Sequence, residues 1–303
     1  MALVPSYIKQ LASYKPGKPI TEAQRELGMA DFVKLASNEN PLGPSPKGLA
    51  AVEKSFNRFH RYPDATGYEL RNKLAKQYNV KMENVILGAG SEGIMSTIMR
   101  TFLLSDDELI SADNSFIGFR VLANASGRRV HWVPMKNHRY DLQAMADKIT
   151  DYTKIIYIAN PDNPMGTYVT REEFDEFFSH VSERILIILD EAYYEFAQDS
   201  PDYPDSMSYR YDNVITLRTF SKAYGLAGIR IGYGFAHDIL INNLMKVKVP
   251  FEPSLVAQAA GTAAVDDIEF LEKTIQTNQK GMSYLKDELD NLGIEQVPSA
   301  ANF

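Results

Sequence analysis

Ile185-Leu186-Ile187-Ile188-Leu189-Asp190-Glu191-Ala192-Tyr193 is the stretch on which the fold turns. An unbroken apolar run of this length, with no polar alternation, describes a strand covered on both faces. The run stops at an acid. A carboxylate at the mouth of a buried strand needs a partner: either the amides of the next turn, which Asp190 would cap, or a cation held in a site.

The same pattern repeats on either side. Upstream, residues 154–159 form an apolar run ending at Asn160-Pro161, and further strands are expected at 130–133, 109–112 and 85–87, the last running into Gly88. Downstream, strands are expected at 214–217 and 229–236. Helical periodicity fills 91–104, 141–149 and 171–181. Buried strands alternating with helices predict an α/β domain with a mostly parallel sheet flanked by helices. Polar residues gather where strands end, at 88–90, 160–166, 190–193 and 219–222. Ligands of such sheets lie at the carboxyl ends of strands, so four separate segments point at one place.

Outside this core the texture changes. Residues 1–47 are rich in Pro, Gly and polar positions, as in Tyr14-Lys15-Pro16-Gly17 and Pro41-Leu42-Gly43-Pro44-Ser45-Pro46, and read as an extended arm with a short helix at 21–27. After Pro253 two helical stretches, 254–265 and 268–292, lead to Pro298-Ser299-Ala300-Ala301-Asn302-Phe303, which reads as the start of a strand. The expected organisation is an arm (1–47), a large α/β domain (48–265), and a linking helix with the start of an incomplete small C-terminal domain (266–303).

Composition narrows the functions. The net charge of −7 argues against nucleic-acid binding. The absence of cysteine excludes disulfides, thiolate-zinc sites and thiol nucleophiles. The five histidines show no metal-ligand spacing, and no Ser-His-Asp order is present, so no metal is expected. The N-terminus, Met1-Ala2-Leu3-Val4-Pro5, lacks the basic start and apolar core of a signal peptide. No apolar run approaches the roughly 18–20 residues of a membrane helix. The expectation is a soluble, cytoplasmic protein with small-molecule partners, no nucleic acid and no membrane.

Chemistry concentrates in Thr219-Phe220-Ser221-Lys222-Ala223-Tyr224-Gly225-Leu226-Ala227-Gly228-Ile229-Arg230. A lysine in a small-residue turn after a buried strand has the suppressed charge that Schiff-base chemistry needs. The hydroxyls of Thr219 and Ser221 and the guanidinium of Arg230 suit a phosphate beside that amine. A strand-loop-helix turn with incidental Lys and Arg fits the same residues. Asp190 would face a protonated pyridine nitrogen and keep the ring an electron sink, with the Tyr193 phenol in reach of a ring hydroxyl. Asn160-Pro161-Asp162-Asn163-Pro164-Met165-Gly166 is a rigid turn at a strand end, from which Asn163 could donate to the same ring oxygen. Gly88-Ala89-Gly90-Ser91-Glu92-Gly93 opens a helix and lets backbone amides approach a phosphate. It is neither a Walker loop nor a dinucleotide fingerprint. Phe116 and Tyr62 are aromatics near these segments, and a core role fits each as well.

Together with Leu35-Ala36-Ser37-Asn38-Glu39-Asn40-Pro41-Leu42-Gly43 and Arg61-Tyr62-Pro63-Asp64, these segments run over nearly the whole chain in one order. In that order the sequence resembles the fold-type I aminotransferases dependent on pyridoxal 5′-phosphate (PLP), and within them the histidinol-phosphate aminotransferase branch. The resemblance implies that Lys222 bonds the cofactor and then shuttles the proton of the reaction, that Asp190 pairs with the pyridine nitrogen, and that Tyr193 and Asn163 hold the ring oxygen. It implies that Thr219, Ser221, Arg230 and the Ala89-Gly90-Ser91 turn hold the phosphate and that Phe116 stacks on the ring. Tyr62 matches a tyrosine that reaches the phosphate from a second subunit, which implies a homodimer with shared active sites. The implied reaction moves an amino group from histidinol phosphate, or an aromatic amino acid, to a 2-oxo acid such as 2-oxoglutarate.

The chain departs from the family in places. The family's Ser-Asp-Glu is Ser91-Glu92-Gly93 here, so a carboxylate pair is displaced or lost. Asn-Pro-Thr-Gly is Asn163-Pro164-Met165-Gly166. The sequence stops where the family's small domain begins, and the arginine that clamps the substrate carboxylate lies beyond that point. Two other readings stay open: decarboxylase or lyase chemistry on the same scaffold, as in phosphothreonine decarboxylation, and a truncated PLP-binding protein without catalysis.

Overall fold

The computed structural model describes residues 3–15, 17–209 and 212–303. Pro16 of the Pro-Gly step in the arm, and Met1 and Ala2 of the stretch judged against a signal peptide, lie outside the described residues. Seven strands form one sheet: β1 (Val85–Gly88), β2 (Glu108–Ala112), β3 (Arg129–Val133), β4 (Thr153–Ala159), β5 (Leu186–Asp190), β6 (Val214–Thr219) and β7 (Gly232–Phe235), in the order β1-β7-β6-β5-β4-β2-β3.

Strands β3, β2, β4, β5 and β6 pair in parallel. Strand β7 is antiparallel to both β6 and β1. The expected strand at 229–236 is thereby shortened. Ala227–Ile229 is a 3-10 turn, and Arg230 takes a left-handed φ of 60° that breaks the extended run before Gly232. With no crossover helix between them, β6 turns back on itself into β7, which is why that pair is antiparallel.

The strands are continuous in hydrophobicity because both faces are covered. On one face Ile94, Met95 and Ile98 of the Gly90–Phe102 helix and Phe119 of the Ile117–Ala125 helix pack on Tyr157, Ala159, Ile188 and Leu217. On the other, Met145, Phe174 and Phe177 pack on Ile156, Ile158, Ile187 and Leu189. A third cluster joins Leu70 and Leu74 of the Tyr68–Gln77 helix and Ala257 and Ala260 of the Leu255–Ala264 helix to the β1 and β7 end.

Helices Pro46–Ser55, Tyr68–Gln77, Ile117–Ala125 and Asp238–Val247 did not stand out in the sequence. Their apolar stripes are short, and their burial comes from neighbours distant in the chain. The expected strand at 298–303 is absent: the segment is irregular and lies along the Asn163–Gly166 turn, with Ala300 N–H donating to Gly166 O at 2.8 Å. It is bound there through side chains and one amide, which a strand ladder would not allow. No helix among the described residues is long and apolar enough to cross a membrane.

Candidate active site

The carboxyl ends of β1, β4, β5 and β6 open into one cleft of about 570 Å³. Its walls carry Gly90, Ser91, Phe116, Asn163, Asp190, Tyr193, Thr219, Ser221, Lys222 and Arg230. All of these were singled out in the sequence.

Strand parity aims the acid. Ala159 and Asp190 are register partners on β4 and β5, on the same face as Tyr157 and Ile188 two residues earlier. Asp190 is buried, and its Oδ2 accepts a hydrogen bond from the Tyr157 hydroxyl at 2.8 Å. Its Oδ1 has no partner among the described residues. Burial pushes its carboxyl up to about 7. A buried carboxylate oxygen left open on the wall of a cleft is an acceptor waiting for a cationic donor.

Lys222 follows β6 by three residues. Burial lowers its amine's pKa, and its Nζ donates to Ser37 O at 3.0 Å and stands 5.5 Å from the centroid of the Tyr193 ring. The Tyr193 hydroxyl accepts from the amides of Asn163 and Asn38, each at 3.1 Å, and burial raises its pKa to about 12. The phenol is therefore neutral, and its proton is free to be donated.

Arg230, Ser221 and Thr219 form the cup at the start of the Gly90–Phe102 helix. Ser221 N–H donates to Thr219 Oγ1 at 3.1 Å, and Arg230 Nη1 reaches Ser221 Oγ at 3.4 Å. Glycine is required here twice. A Cβ on Gly90, whose φ is +74°, would stand 2.6 Å from Arg230 Nη2, and one on Gly232 would stand 2.6 Å from the Ser91 amide nitrogen. The backbone and the guanidinium thus come close enough to surround an anion.

Two predicted residues lie elsewhere. The Ala89 amide is taken by Glu252 Oε1 at 3.3 Å. Tyr62 lies outside the cleft of its own chain; it is 80% exposed and stacks on Phe251 with ring centroids 4.4 Å apart.

Several residues on or behind the cleft wall had no role in the sequence reading. Ser37 and Asn38 hold left-handed φ of 73° and 52° and bring the arm over Lys222 and Tyr193. Asn40 anchors that arm to Ala223 O at 2.9 Å and Thr274 Oγ1 at 3.0 Å. The Asn38-Glu39-Asn40 run was the available signal. Tyr157 is the only hydroxyl among the aliphatic residues 155–159, which was a signal too. Glu92 pairs with Arg230 Nη2 at 3.2 Å. Glu252 Oε1 lies 3.2 Å from where a Cβ on Gly93 would stand. A second carboxylate, from another part of the chain, therefore lies beside the glycine turn but outside the lining of the cleft.

The set fits PLP. The open Asp190 oxygen suits a pyridinium N–H, the amine of Lys222 suits an aldehyde carbon, the Tyr193-Asn163 pair suits a ring oxygen, and the glycine-lined cup suits a phosphate.

Comparison with known proteins agrees. The model of the family described as "Aminotransferase class I and II" matches residues 30–303. The chain is 39% identical to histidinol-phosphate aminotransferase 2 of Carboxydothermus hydrogenoformans, over 99% of this chain and 84% of that protein. It is 43% identical to the histidinol-phosphate aminotransferase of Moorella thermoacetica, over 98% of this chain and 77% of that protein. Its fold superposes with a TM-score of 0.90 on the crystal structure of histidinol-phosphate aminotransferase from Sinorhizobium meliloti in complex with PLP, at 27% identity over 99% of this chain and 81% of that one. The chain belongs to the class I and II aminotransferases, PLP-dependent enzymes, in their histidinol-phosphate aminotransferase branch.

Proposed function

We propose that this aminotransferase takes the amino group of histidinol phosphate, or of a related aromatic amino donor, and delivers it to a 2-oxo acid such as 2-oxoglutarate. The observation that carries the chemistry is the meeting, in one cleft, of a desolvated Lys222 with a buried Asp190 whose Oδ1 is open. The donor rests on the relatives, whose names specify histidinol phosphate.

When bound, PLP supplies an electron sink conjugated to the substrate's reacting carbon. Asp190 would hold the proton of the ring nitrogen through its open Oδ1. Lys222 Nζ would bond the cofactor, and its free amine would move the proton at the substrate's α-carbon. Burial lowers the basicity of that amine, which favours both tasks. Tyr193 and Asn163 orient the ring oxygen, Phe116 covers one ring face, and the Asn38 segment keeps water from the Lys222 side. Ser91, Thr219, Ser221 and Arg230, with the amides of Gly90 and Ser91, would hold the phosphate.

The same proposal assigns residues 48–265 to the cofactor domain, 1–47 to an arm and 266–303 to a smaller domain. It places Tyr62 at the cofactor phosphate of a second subunit. The exposure of Tyr62 and its stacking on Phe251 support an outward-reaching loop. The deciding experiment is a donor panel with 2-oxoglutarate, coupled to glutamate formation and run beside a carbon-dioxide assay. Glutamate from histidinol phosphate is expected. Carbon dioxide without glutamate would place the enzyme among the decarboxylases of the same scaffold.

A further inference from the structure

We propose that the phenol of Tyr157 orients Asp190 and draws charge from its Oδ2, so that the proton shared between Oδ1 and the ring nitrogen of PLP stays on the nitrogen. This makes Tyr157 a positioning residue for the reaction, and it rests on the reading above that Asp190 faces that nitrogen.

The geometry begins with strand register. Ala159, opposite Asp190, is too small to touch its carboxylate. Tyr157, opposite Ile188 and one step below on the same face, is long enough to extend its hydroxyl to Oδ2 at 2.8 Å. The ring has no freedom to leave. It is wholly buried and lies flat on Phe119, with centroids 4.0 Å apart and planes 8° from parallel. One carboxylate oxygen is thus occupied from beneath the sheet's edge, and the other is left open.

The direction of the effect follows from the charges around Asp190. Glu92 from the first turn of the Gly90–Phe102 helix and Glu191 behind it both favour a protonated carboxyl, as burial does. Asp162 and Tyr140 lie on the β4 side, and Lys222 faces Asp190 across the cleft with Arg230 beside it. Against the burial and the two acids stand the Tyr157 hydroxyl, which is the donor side chain on the carboxylate and the larger of the two, and the backbone amide of Ala192; both lower the carboxyl's pKa. The phenol cannot itself give up its proton, because burial and Asp190 hold its pKa well above the usual value. A hydrogen bond to the charged form of an acid stabilises that form. Without it Asp190 competes better for the shared proton, and a ring that has lost its proton is a poorer electron sink.

The test loads the enzyme with PLP labelled with nitrogen-15 in the ring and reads the ring-nitrogen resonance in four proteins: wild type, Tyr157→Phe, a variant with 3-fluorotyrosine at 157, and Asp190→Asn. Tyr157→Phe should move the resonance toward neutral pyridine. It should also lower kcat about tenfold with KM nearly unchanged, the scale of one hydrogen bond to a charged group. The fluorinated phenol, a stronger donor, should move the resonance the opposite way. Asp190→Asn should move it toward neutral pyridine in any case. If Asp190→Asn shifts the resonance but neither change at Tyr157 does, Tyr157 is packing alone and the proposal is overturned. If Asp190→Asn has no effect, Asp190 does not face the nitrogen, and both readings fall. Should Tyr157→Phe not fold, the fluorotyrosine protein decides, since it keeps the hydroxyl and every heavy atom of the phenol.

Discussion

Asp190 and Glu191 are consecutive and face opposite sides of the sheet: Asp190 Oδ2 takes the Tyr157 hydroxyl at 2.8 Å on the cleft side, and Glu191 Oε2 takes Arg218 Nε at 2.8 Å on the other. Thr219 and Arg218 divide in the same way at the end of β6. The carboxyl ends of the two central strands are thereby tied together beneath the cleft by one buried ion pair, while their last residues point into it. The Arg218 guanidinium is fully buried, lies 3.3 Å from the centroid of the Tyr194 ring and also meets Asp205 at 3.2 Å.

Removing that cation should destabilise the whole domain. Arg218→Met leaves Glu191 buried without its partner, and the expected loss is about 3–5 kcal/mol. Urea unfolding of the loaded enzyme measures it. The double variant Arg218→Met, Glu191→Met should recover much of the loss, because two apolar side chains leave no orphan charge. A double variant no better than the single one would mean that Arg218 acts through Asp205 and the tyrosines instead.

Lys222→Ala should abolish trapping of PLP onto the protein by borohydride. Mass spectrometry of the peptide spanning 219–230 reads the adduct directly. An adduct on any other lysine of the variant and the wild type alike would reassign the covalent site.

In the cofactor-free protein, the contribution of Asp190 to stability should be lost as pH rises from about 4 to about 7. Asp190 has an ordinary value of 3.8 and is pushed to about 7 in the fold. In that window the folded protein holds a proton that the unfolded chain has released, so stability is full below it and falls as pH climbs through it. The size is at most about 4 kcal/mol. Asp190→Asn should flatten the dependence. Glu195, raised to about 7 by burial, remains in both proteins and cancels in the comparison. Thermal unfolding across pH, wild type against variant, reads the difference; identical slopes would show that Asp190 does not titrate there.

Gly90→Ala should weaken cofactor binding more than it weakens the fold. Its left-handed backbone alone costs an alanine about 1–2 kcal/mol. The new methyl would also stand 2.6 Å from Arg230 Nη2 and displace the guanidinium from the cup. Titration of the cofactor-free variant with PLP should show a dissociation constant raised about tenfold or more. An unchanged constant would mean that Arg230 can move without loss and that the phosphate is held by the amides and hydroxyls.

Hydrophobic pattern alone was enough for most strands of the sheet, for their ends and for the main polar residues gathered there. Unbroken runs such as 185–189 can satisfy their backbone only as strands covered on both faces, and such strands must deliver Asp190, Thr219 and Gly88 to the same edge. Local chemistry also pointed to Lys222, to Tyr193 and Asn163, and to the glycine turn, because each lies within a few residues of a strand end. Contacts across long separations had no such local record. The arm's Asn38 meets Tyr193 over 155 residues, and Glu252 meets Ala89 over 163. The reversal of β7 and the path of residues 298–303 belong to the same class. Tyr157 lies between the two. Its parity with Ala159 was written in the strand, but its bond to Asp190 depends on how β4 and β5 are staggered. Stagger is set by the packing of both sheet faces against helices from elsewhere in the chain, which no local pattern records.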